Sequence, residues 1–241
     1  MTSLVASDRA PGLHVAPDVV IPSDAEIAPH VTVYSGVRLG AGVMLDQGAI
    51  IGRPQRIDAR SRSPRRLGDA TTLGDGCRVG SYSVVAAGAG IGVGTYLGDQ
   101  VLVRETAVLG QEVMIGRGSS IGVGTRTGDR TRFQNGVLMA PGTIIEEDVL
   151  VGPLVTFVGD PTMGRRAVGA PPAGVRVRRA SRIGTAAIIV PPADVGVEAV
   201  VGAGALVRGE VGARTVVVGT PAQELRAVRD DELLERWRET E

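Results

Sequence analysis

The sequence predicts an all-β fold, a parallel β-helix of hexapeptide repeats with a short C-terminal helical cap. Aliphatic residues recur at every sixth position over most of the chain. Glycine is abundant, with 35 residues, whereas aromatic residues make up only 2% of the 241 positions. A period of six fits neither a helix, which repeats at about 3.6 residues, nor a flat strand, which repeats at about two. It fits a short strand followed by a tight corner, and such a fixed period identifies a repeat architecture.

The ladder of aliphatic positions falls into three blocks. The first block comprises Val15, Ile21, Ile27, Val33, Leu39, Leu45 and Ile51. The second block begins at Leu67, and only Thr127 interrupts its apolar inward positions. The third block runs from Ile183 to Val207. Three hexads close a triangular coil of about eighteen residues, and the ladder predicts about nine coils stacked roughly 4.8 Å apart.

The predicted β-helix domain comprises residues 1–220. Two breaks in its ladder, at residues 57–66 and 161–182, are predicted to be loops that extend from it. The first break has two interpretations, a solvated loop or a cationic flap that clamps a phosphate or diphosphate. The second is a candidate cover for an active site, because binding residues concentrate in loops held by a rigid scaffold. The flap would contain Arg53, Arg56, Arg60, Arg62, Arg65 and Arg66.

The period changes after residue 220, which predicts a cap over residues 221–241. Leu225 and Val228, and then the segment from Leu233 to Trp237, have the spacing of short amphipathic helices that close the last coil. Trp237 is interpreted as a packing residue of this cap. Cys77, the single cysteine, lies at a compact inward position, so disulfides are excluded and a buried structural thiol is expected.

Charge and histidine content exclude several classes of function. Acidic and basic side chains balance at 26 each, which predicts no nucleic-acid partner and no membrane partner. The segment Met1 to Pro11 lacks the pattern of a signal peptide, so a cytoplasmic location is expected. Zinc-dependent carbonic anhydrases share this coil but need three histidine ligands, whereas this chain has only His14 and His30. No metal is expected.

Two closing runs, Val201 to Val207 and Val216 to Ala222, complete a pattern that extends over residues 15–228. Together with the ladder, this pattern resembles the hexapeptide-repeat acyltransferases. The resemblance implies a left-handed coil, a homotrimer, and an acyl-CoA bound in the groove between neighbouring subunits. Flat prism walls suit such an assembly, because a single convex wall offers no pocket that excludes water.

A shorter stretch narrows the resemblance. The segments Phe133 to Val137, Ile145 to Pro153 and Thr156 to Asp160 are similar to those of N-acetyltransferases that act on nucleotide-linked amino sugars. Those relatives usually carry a second asparagine at the position of Gly136, and threonine-asparagine-aspartate at residues 158–160. The resemblance implies acetyl-CoA or another acyl-CoA as co-substrate and a small-molecule acceptor, the amino group of a nucleotide-linked amino sugar.

The scarcity of histidine also favours an amine acceptor. An alcohol must lose its proton as it attacks a thioester, which calls for a general base. A neutral amine can attack without prior deprotonation, so the site needs orientation and oxyanion stabilisation instead. Asn135 is the candidate that orients the amine, Asp160 is a possible proton acceptor, and His30 is the weaker candidate base. Each also has a structural interpretation, as a corner asparagine, a turn residue and a solvent-facing residue.

The remaining candidates are binding residues. Substrate contacts are expected from Phe133 and Gln134, beside Asn135, and from Arg165 and Arg166 in the second excursion. Four compact residues would leave backbone groups accessible to the pantetheine arm, namely Gly184, Ala186, Gly202 and Ala203. Arg226 and the arginines near Arg178 could pair with phosphates of coenzyme A.

Two alternatives stay open at this point. One is O-acyl transfer to a hydroxyl of a sugar or another small molecule, with His30 or Asp160 as base. The other is a non-catalytic β-helix scaffold that keeps the prism without a site. Stabilisation by coenzyme A would argue against the scaffold, because a ligand that binds only the native state raises the melting temperature.

Overall fold

The computed structural model describes residues 4–56, 70–165 and 173–238, apart from the side chains of Trp237 and Arg238. The predicted flap at residues 57–66, Arg166 and the packing of Trp237 therefore lie outside what is described. Within these ranges the chain winds through three sheets, named A, B and C here. Each coil visits them in the order A, C, B.

Nearly all strands pair in parallel with the strands one coil above and below. Sheet A comprises Val5–Ser7, Leu13–Val15, Thr32–Val33, Ile50–Arg53, Val84–Ala86, Leu102–Val103, Ser120–Ile121, Leu138–Met139, Thr156–Phe157, Ile188–Ile189 and Leu206–Val207. Sheet C comprises Val37–Leu39, Thr71–Leu73, Gly90–Ile91, Val108–Leu109, Arg126–Thr127, Ile144–Ile145, Arg176–Val177, Asp194–Val195 and Glu210–Val211. Sheet B comprises Glu26–Ile27, Met44–Leu45, Arg78–Val79, Tyr96–Leu97, Met114–Ile115, Arg132–Phe133, Leu150–Val151, Arg182–Ile183, Val200–Val201, Thr215–Val218 and Gln223–Ala227.

The register confirms the predicted hexapeptide β-helix. Val85 pairs with Val103, and Val103 with Ile121, so like positions stack one coil apart and bury their side chains. Sheet A has eleven strands, of which only Val5–Ser7 is antiparallel, and the other ten mark ten coils. The ladder predicted about nine. The extra coil arises because Val177 and Val211, which the ladder omitted, are also buried inward positions.

Hydroxyl groups inside the coils satisfy carbonyl groups of the corners. Thr95 is fully buried, and its Oγ1 donates to the Gly110 carbonyl at 2.9 Å and accepts from the Val113 N–H at 3.2 Å. The same donation recurs from Ser83, Ser119, Thr131 and Ser181. Because an unpaired buried carbonyl costs free energy, the hydroxyl residues at these compact positions stabilise the corners that they contact.

Cys77 occupies one of these positions. Its Sγ lies 3.0 Å from the Gly92 carbonyl, and the side chain is fully buried. Burial raises the pKa of the Cys77 thiol above its usual value, so the group stays protonated and unreactive at neutral pH. The prediction of a buried structural cysteine is confirmed.

Each coil turns at three corners, named A–C, C–B and B–A after the sheets they join. The third residue of a corner has a positive φ, 69° at Gly136 and 60° at Leu154. Its N–H donates to the second corner residue one coil below, as Gly136 does to Arg117 and Leu154 does to Asn135, both at 2.9 Å. These bonds tie successive corners into continuous columns along the prism.

In the sequence, both excursions fall between a strand of sheet A and the next strand of sheet C. The first follows Ile50–Arg53 and the second follows Thr156–Phe157, five coils further along sheet A, about 24 Å along the axis at one strand spacing per coil. The second excursion is shorter than residues 161–182. The coil resumes at Val175, which is 1% exposed, and continues through Arg176–Val177. Arginines that face outward on this strand concealed its inward valines in the sequence.

The C-terminal cap combines a strand with helical turns. Gln223–Ala227 pairs antiparallel with Thr215–Val218, and is followed by a 3-10 turn at Asp230–Glu232 and a helix at Leu234–Arg238. The sequence predicted helix around Leu225, but the open edge of sheet B offers backbone hydrogen bonds that a strand can satisfy. The cap is held by the Glu198 carboxylate, which accepts from the Leu234 N–H at 3.3 Å.

Candidate active site

The B–A corner collects most of the predicted site residues. Gln134 and Asn135 lie on the coil that continues into Leu138–Met139. Residues 184–186 occupy the same corner two coils further along, and residues 202–204 three coils further along. His30 shares this corner but lies five coils before Asn135. The structure therefore places the predicted amine-orienting residue and the predicted backbone groups for the cofactor on one column.

Asn135 is the only asparagine of the chain, and its side chain is exposed. The positive φ of this corner belongs to Gly136, not to Asn135. The amide group of Asn135 makes no hydrogen bond to any residue within the described ranges. The usual structural reason for a corner asparagine, a left-handed backbone or a hydrogen bond to the turn, is thus absent for this residue within the described structure.

Close packing of successive corners fixes the backbone at Asn135. A Cβ on Gly116, one coil below, would lie 2.6 Å from the Asn135 nitrogen. A Cβ on Gly136 would lie 2.8 Å from Cδ2 of Leu154, whose side chain leans over it from the coil above. The space that a side chain at position 136 would fill is therefore taken by the side chain of Leu154.

Phe133 does not belong to this surface. Its side chain points into the coil and is 1% exposed, stacked between Ile115 and Val151. The predicted substrate contact at Phe133 is wrong, because its inward position in the strand directs the ring to the core. Gln134, the next residue, is exposed beside Asn135 and remains a candidate contact.

Three of the predicted cofactor residues take part in the stacking of the coils. A Cβ on Gly184 would lie 2.5 Å from the Ala203 nitrogen, so glycine is needed there for coil stacking. The Ala186 N–H already donates to the Pro153 carbonyl at 2.9 Å. Gly202 is similarly close to Val218, at 2.8 Å from its Cγ1. The backbone N–H groups of Thr185 and Ala203 have no acceptor within the described residues, and both residues are exposed.

Asp160 and Arg165 lie at a different corner. They belong to the A–C corner, on the other edge of sheet A from Asn135. The Asp160 carboxylate accepts from the Thr162 N–H at 2.8 Å, the Thr162 hydroxyl at 2.6 Å and the Gly164 N–H at 2.8 Å. These bonds form the turn that opens the excursion. Arg165 is exposed on that turn.

A shallow groove of about 410 Å³ lies at the root of this excursion. Its floor is formed by sheet A and the A–C corner, including Leu138, Val123 and Pro141. Arg104 closes one end, and its Nε donates to the buried Glu105 carboxylate at 2.7 Å. Leu138 is three residues beyond Asn135 in the same coil, so the groove and the Asn135 corner share one face.

The two histidines lie at the opposite end of the prism. His14 is exposed on sheet A of the first coil, and its Nδ1 is 3.0 Å from the Gly12 carbonyl oxygen. The His30 ring covers Gly12, where a Cβ would lie 2.4 Å from His30 Nδ1. Five coils separate His30 from Asn135, about 24 Å. Because these are the only histidines of the chain, no imidazole lies near Asn135.

The arginines expected to bind phosphates of coenzyme A are already paired. Arg178 donates to both carboxylate oxygens of Asp194, at 2.8 and 2.6 Å. This pairing raises the pKa of Arg178 and lowers the pKa of Asp194 from their usual values. Arg226 donates to both carboxylate oxygens of Glu232, at 2.8 and 2.9 Å. Arg178 and Arg226 therefore already have counter-charges, at the C–B corner and in the cap respectively.

Sequence reasoning missed three groups on or beside the column of Asn135. They are the free N–H group of Thr185 and two exposed arginines, Arg117 and Arg132. A signal was present, because residues eighteen apart stack in neighbouring coils and Arg117 precedes Asn135 by that spacing. Within the described residues no group of three or more histidine, cysteine or acidic side chains could hold a metal ion. None of the helices in these ranges has the length and apolar character to cross a membrane.

The repeat is also the feature that this chain shares with known structures. The chain is a hexapeptide-repeat β-helix. No protein-family model and no curated protein matches it. Similar solved structures include a hexapeptide-repeat acetyltransferase from Vibrio cholerae complexed with acetyl coenzyme A, at 27% identity and TM-score 0.39, covering 48% of this chain and 71% of that one.

Two further structures overlap more of the β-helix. A UDP-N-acetylglucosamine acyltransferase from Francisella novicida has 15% identity and a TM-score of 0.45, covering 92% of this chain and 73% of that one. The acetyltransferase domain of PglB from Neisseria gonorrhoeae, in complex with acetyl coenzyme A, has 16% identity and a TM-score of 0.33 and covers 89% of this chain and 58% of that one. The coil register of the chain itself, not these overlaps, establishes its fold.

Proposed function

We propose that this protein transfers an acetyl or other short acyl group from acyl-CoA to an amine, the amino group of a nucleotide-linked amino sugar. The observation that carries the proposal is Asn135. Its amide is exposed and has no structural partner within the described residues, and it lies on a corner about 24 Å from His30. The sequence pattern around it is the one that resembles the amino-sugar N-acetyltransferases.

The chemistry suits this arrangement. The Asn135 amide oxygen accepts one N–H of the neutral amine and directs the nitrogen lone pair at the thioester carbonyl. The nitrogen–carbon bond forms, the carbon–sulfur bond breaks, and coenzyme A leaves as the thiolate. The proton lost by the former amine passes to that thiolate or to solvent. An alcohol would need a base during the attack, and no histidine lies near this corner.

The free backbone N–H groups of Thr185 and Ala203 support the acyl-CoA part of the proposal. Both residues are exposed on the column that carries Asn135, two and three coils further along. Amide carbonyls of the pantetheine arm would accept hydrogen bonds from such donors. Because the donors belong to the backbone, the interaction depends on coil geometry more than on side-chain identity, and the sequence alone identifies it poorly.

A homotrimer is part of the proposal, because the B–A corner on a single chain is open to water. Sheets A and B carry a band of exposed apolar side chains on both sides of this corner. Two copies that packed through this band would enclose Asn135 and exclude water from it. The band consists of Tyr82, Tyr96, Met114, Leu138, Leu150, Leu154 and Ile188, each 36–63% exposed.

The proposed location is the cytoplasm, because acyl-CoA thioesters are formed and used inside cells. Transfer to a hydroxyl remains the second enzymatic candidate. It would require Asp160 or His30 as base, but Asp160 is engaged in three hydrogen bonds of its own turn. A scaffold without activity would not account for an exposed asparagine that the turn does not need.

The decisive experiment measures release of coenzyme A thiol from acetyl-CoA over a panel of nucleotide sugars. One half of the panel carries an amino group and the other half carries only hydroxyls. We expect turnover with at least one aminated member, and at least a hundredfold loss in Asn135→Ala. Gln111→Ala is the matched control, because Gln111 places an exposed amide at the middle of a C–B corner. Turnover confined to hydroxylated acceptors would refute N-acyl transfer.

A further inference from the structure

Arg117 and Arg132 lie beside Asn135 on two coils that backbone hydrogen bonds hold together. The Gly116 N–H donates to the Phe133 carbonyl at 2.8 Å, and the Gly136 N–H donates to the Arg117 carbonyl at 2.9 Å. Arg117 therefore occupies the B–A corner directly below Asn135. Arg132 faces outward from sheet B, three residues before Asn135 in the same coil.

The two arginines are exposed, and neither forms an ion pair or a side-chain hydrogen bond within the described residues. The nearest carboxylate on this column is Asp99, one coil below Arg117, and its Oδ1 accepts from the Ser81 N–H at 2.9 Å. Arg132 is flanked along sheet B by Met114 and Leu150, not by an acid.

The C–B corner differs in this respect, because its arginines have counter-charges. Arg130, Arg178 and Arg179 at the C–B corner are all paired with carboxylates. The chain carries equal numbers of acidic and basic side chains, yet leaves two neighbouring guanidinium groups without an acid in an otherwise apolar band. Two unneutralised cations on adjacent coils repel each other, and an anionic ligand would relieve that repulsion.

We infer that Arg117 and Arg132 form a binding site for a diphosphate ester, one guanidinium fork to each phosphate, next to the amide of Asn135. The inference rests on the proposed function, since it deepens the site at Asn135. Guanidinium groups suit this task because their planar fork donates two parallel hydrogen bonds to phosphate oxygens. Gln134, exposed between Arg132 and Asn135, adds a neutral donor at the same edge.

Both substrates of the proposed reaction carry a diphosphate, one in coenzyme A and one in a nucleotide-linked sugar. The shared chemistry is a diphosphate ester, and binding measurements can separate the two sources. Isothermal titration of the full-length protein would use three probes, namely coenzyme A, uridine diphosphate and uridine. Uridine lacks phosphate and controls for recognition of the nucleoside.

Three variants are compared with the natural chain, namely Arg117→Ala, Arg132→Ala and the double variant. Arg126→Ala is the matched control, because Arg126 is exposed on sheet C and has no ion pair within the described residues. We expect at least one diphosphate probe to lose about tenfold in affinity with each single variant, as removal of a charge-assisted hydrogen bond typically does. Arg132→Lys should recover only part of the loss, because it keeps the charge without the fork.

The probe that responds identifies the source. A response with coenzyme A assigns the site to the acyl donor, and a response with uridine diphosphate assigns it to the acceptor. Unchanged affinity of both diphosphate probes in the double variant would overturn the inference, as would a natural chain that binds neither. Melting temperatures within about a degree of the natural chain would show that the variants are folded.

The test separates this inference from the proposed function. If the arginines govern diphosphate binding but no acceptor is acylated, the site stands and the proposed reaction fails. If acylation of an amine proceeds while the double variant binds and turns over like the natural chain, the reaction stands and the diphosphate site is wrong.

Discussion

The side chain of Leu154 fills the space beside Gly136 at the B–A corner, since Cδ2 of Leu154 lies 2.8 Å from where a Cβ on Gly136 would be. The leucine comes from the coil above, and its N–H also binds the carbonyl of Asn135 at 2.9 Å. The two positions are therefore coupled in packing and border the candidate catalytic asparagine. The effect of a substitution at one position on stability should therefore depend on the residue at the other.

This coupling gives the first prediction. Asparagine tolerates the positive φ of Gly136, so the cost of Gly136→Asn comes mainly from displacing Leu154, about 1 kcal/mol for a strained side chain. Leu154→Ala alone should be nearly neutral, because Leu154 is 63% exposed. The double variant should recover most of the loss in urea unfolding. Strictly additive effects would show that the contact does not matter.

The second prediction concerns the hydroxyl groups inside the coils. Thr95→Val keeps the shape but removes the donor to the Gly110 carbonyl, which leaves a buried acceptor unpaired. We expect a loss of about 1–3 kcal/mol in the free energy of unfolding. Thr72→Val, on the exposed face of sheet C, is the control and should change stability little. Equal effects of the two variants in urea unfolding would contradict the role assigned to Thr95.

A third prediction follows from the cap. Arg226, and after it the Arg229 N–H, lower the pKa of Glu232 from 4.5 to about 2. Since the pKa is lower in the folded chain, the carboxylate stabilises the fold above pH 4.5, and this contribution disappears as the pH falls toward 2. The difference in melting temperature between the natural chain and Glu232→Gln should shrink over that range. Arg226→Gln should behave like Glu232→Gln, and a difference that stays constant down to pH 2 would be incompatible with this ion pair.

A fourth prediction separates structural from ligand-binding arginines. Arg179 contacts Glu147 and Asp148 at 3.8 and 3.9 Å and also pairs with Glu235 of the C-terminal helix. Arg179→Ala should lower stability by about 1 kcal/mol, since the guanidinium is partly exposed. Its affinity for coenzyme A should equal that of the natural chain. A large loss of coenzyme A affinity with unchanged stability would restore the phosphate-binding role suggested by sequence.

The fold could be predicted from sequence because its determinant is local and repeated. An inward residue such as Val103 can be recognised by its spacing of six residues from Leu97 and Leu109, independently of the rest of the chain. Strand Arg176–Val177 was missed because the arginines around its inward valines hide the apolar pattern. The strand Gln223–Ala227 was missed because it forms on an unpaired sheet edge, and that edge is a property of the assembled prism.

The candidate site was less predictable, because its parts come together only across coils. Asn135 was found by resemblance, whereas Arg117 is linked to it only by the spacing of one coil, eighteen residues. The pairing of Arg178 with Asp194 was not foreseen, because Asp194 is sixteen residues away and contributes no local signal. Backbone N–H groups such as that of Thr185 carry no side-chain signature at all.

The final prediction concerns assembly. Leu138 is 49% exposed in the apolar band of sheets A and B, whereas Val108 is 40% exposed on sheet C, outside the band. Leu138→Glu would bury an unpaired carboxylate in the proposed interface between copies, which is costly enough to prevent association. Val108→Glu introduces the same charge at a similar exposure and should leave association intact. Sedimentation equilibrium should therefore report a trimer for the natural chain and Val108→Glu, and a monomer for Leu138→Glu. Because the band borders Asn135, Leu138→Glu should also lose thiol release from acetyl-CoA while keeping its circular dichroism spectrum. A monomeric natural chain that is fully active would remove the need for a partner at this corner.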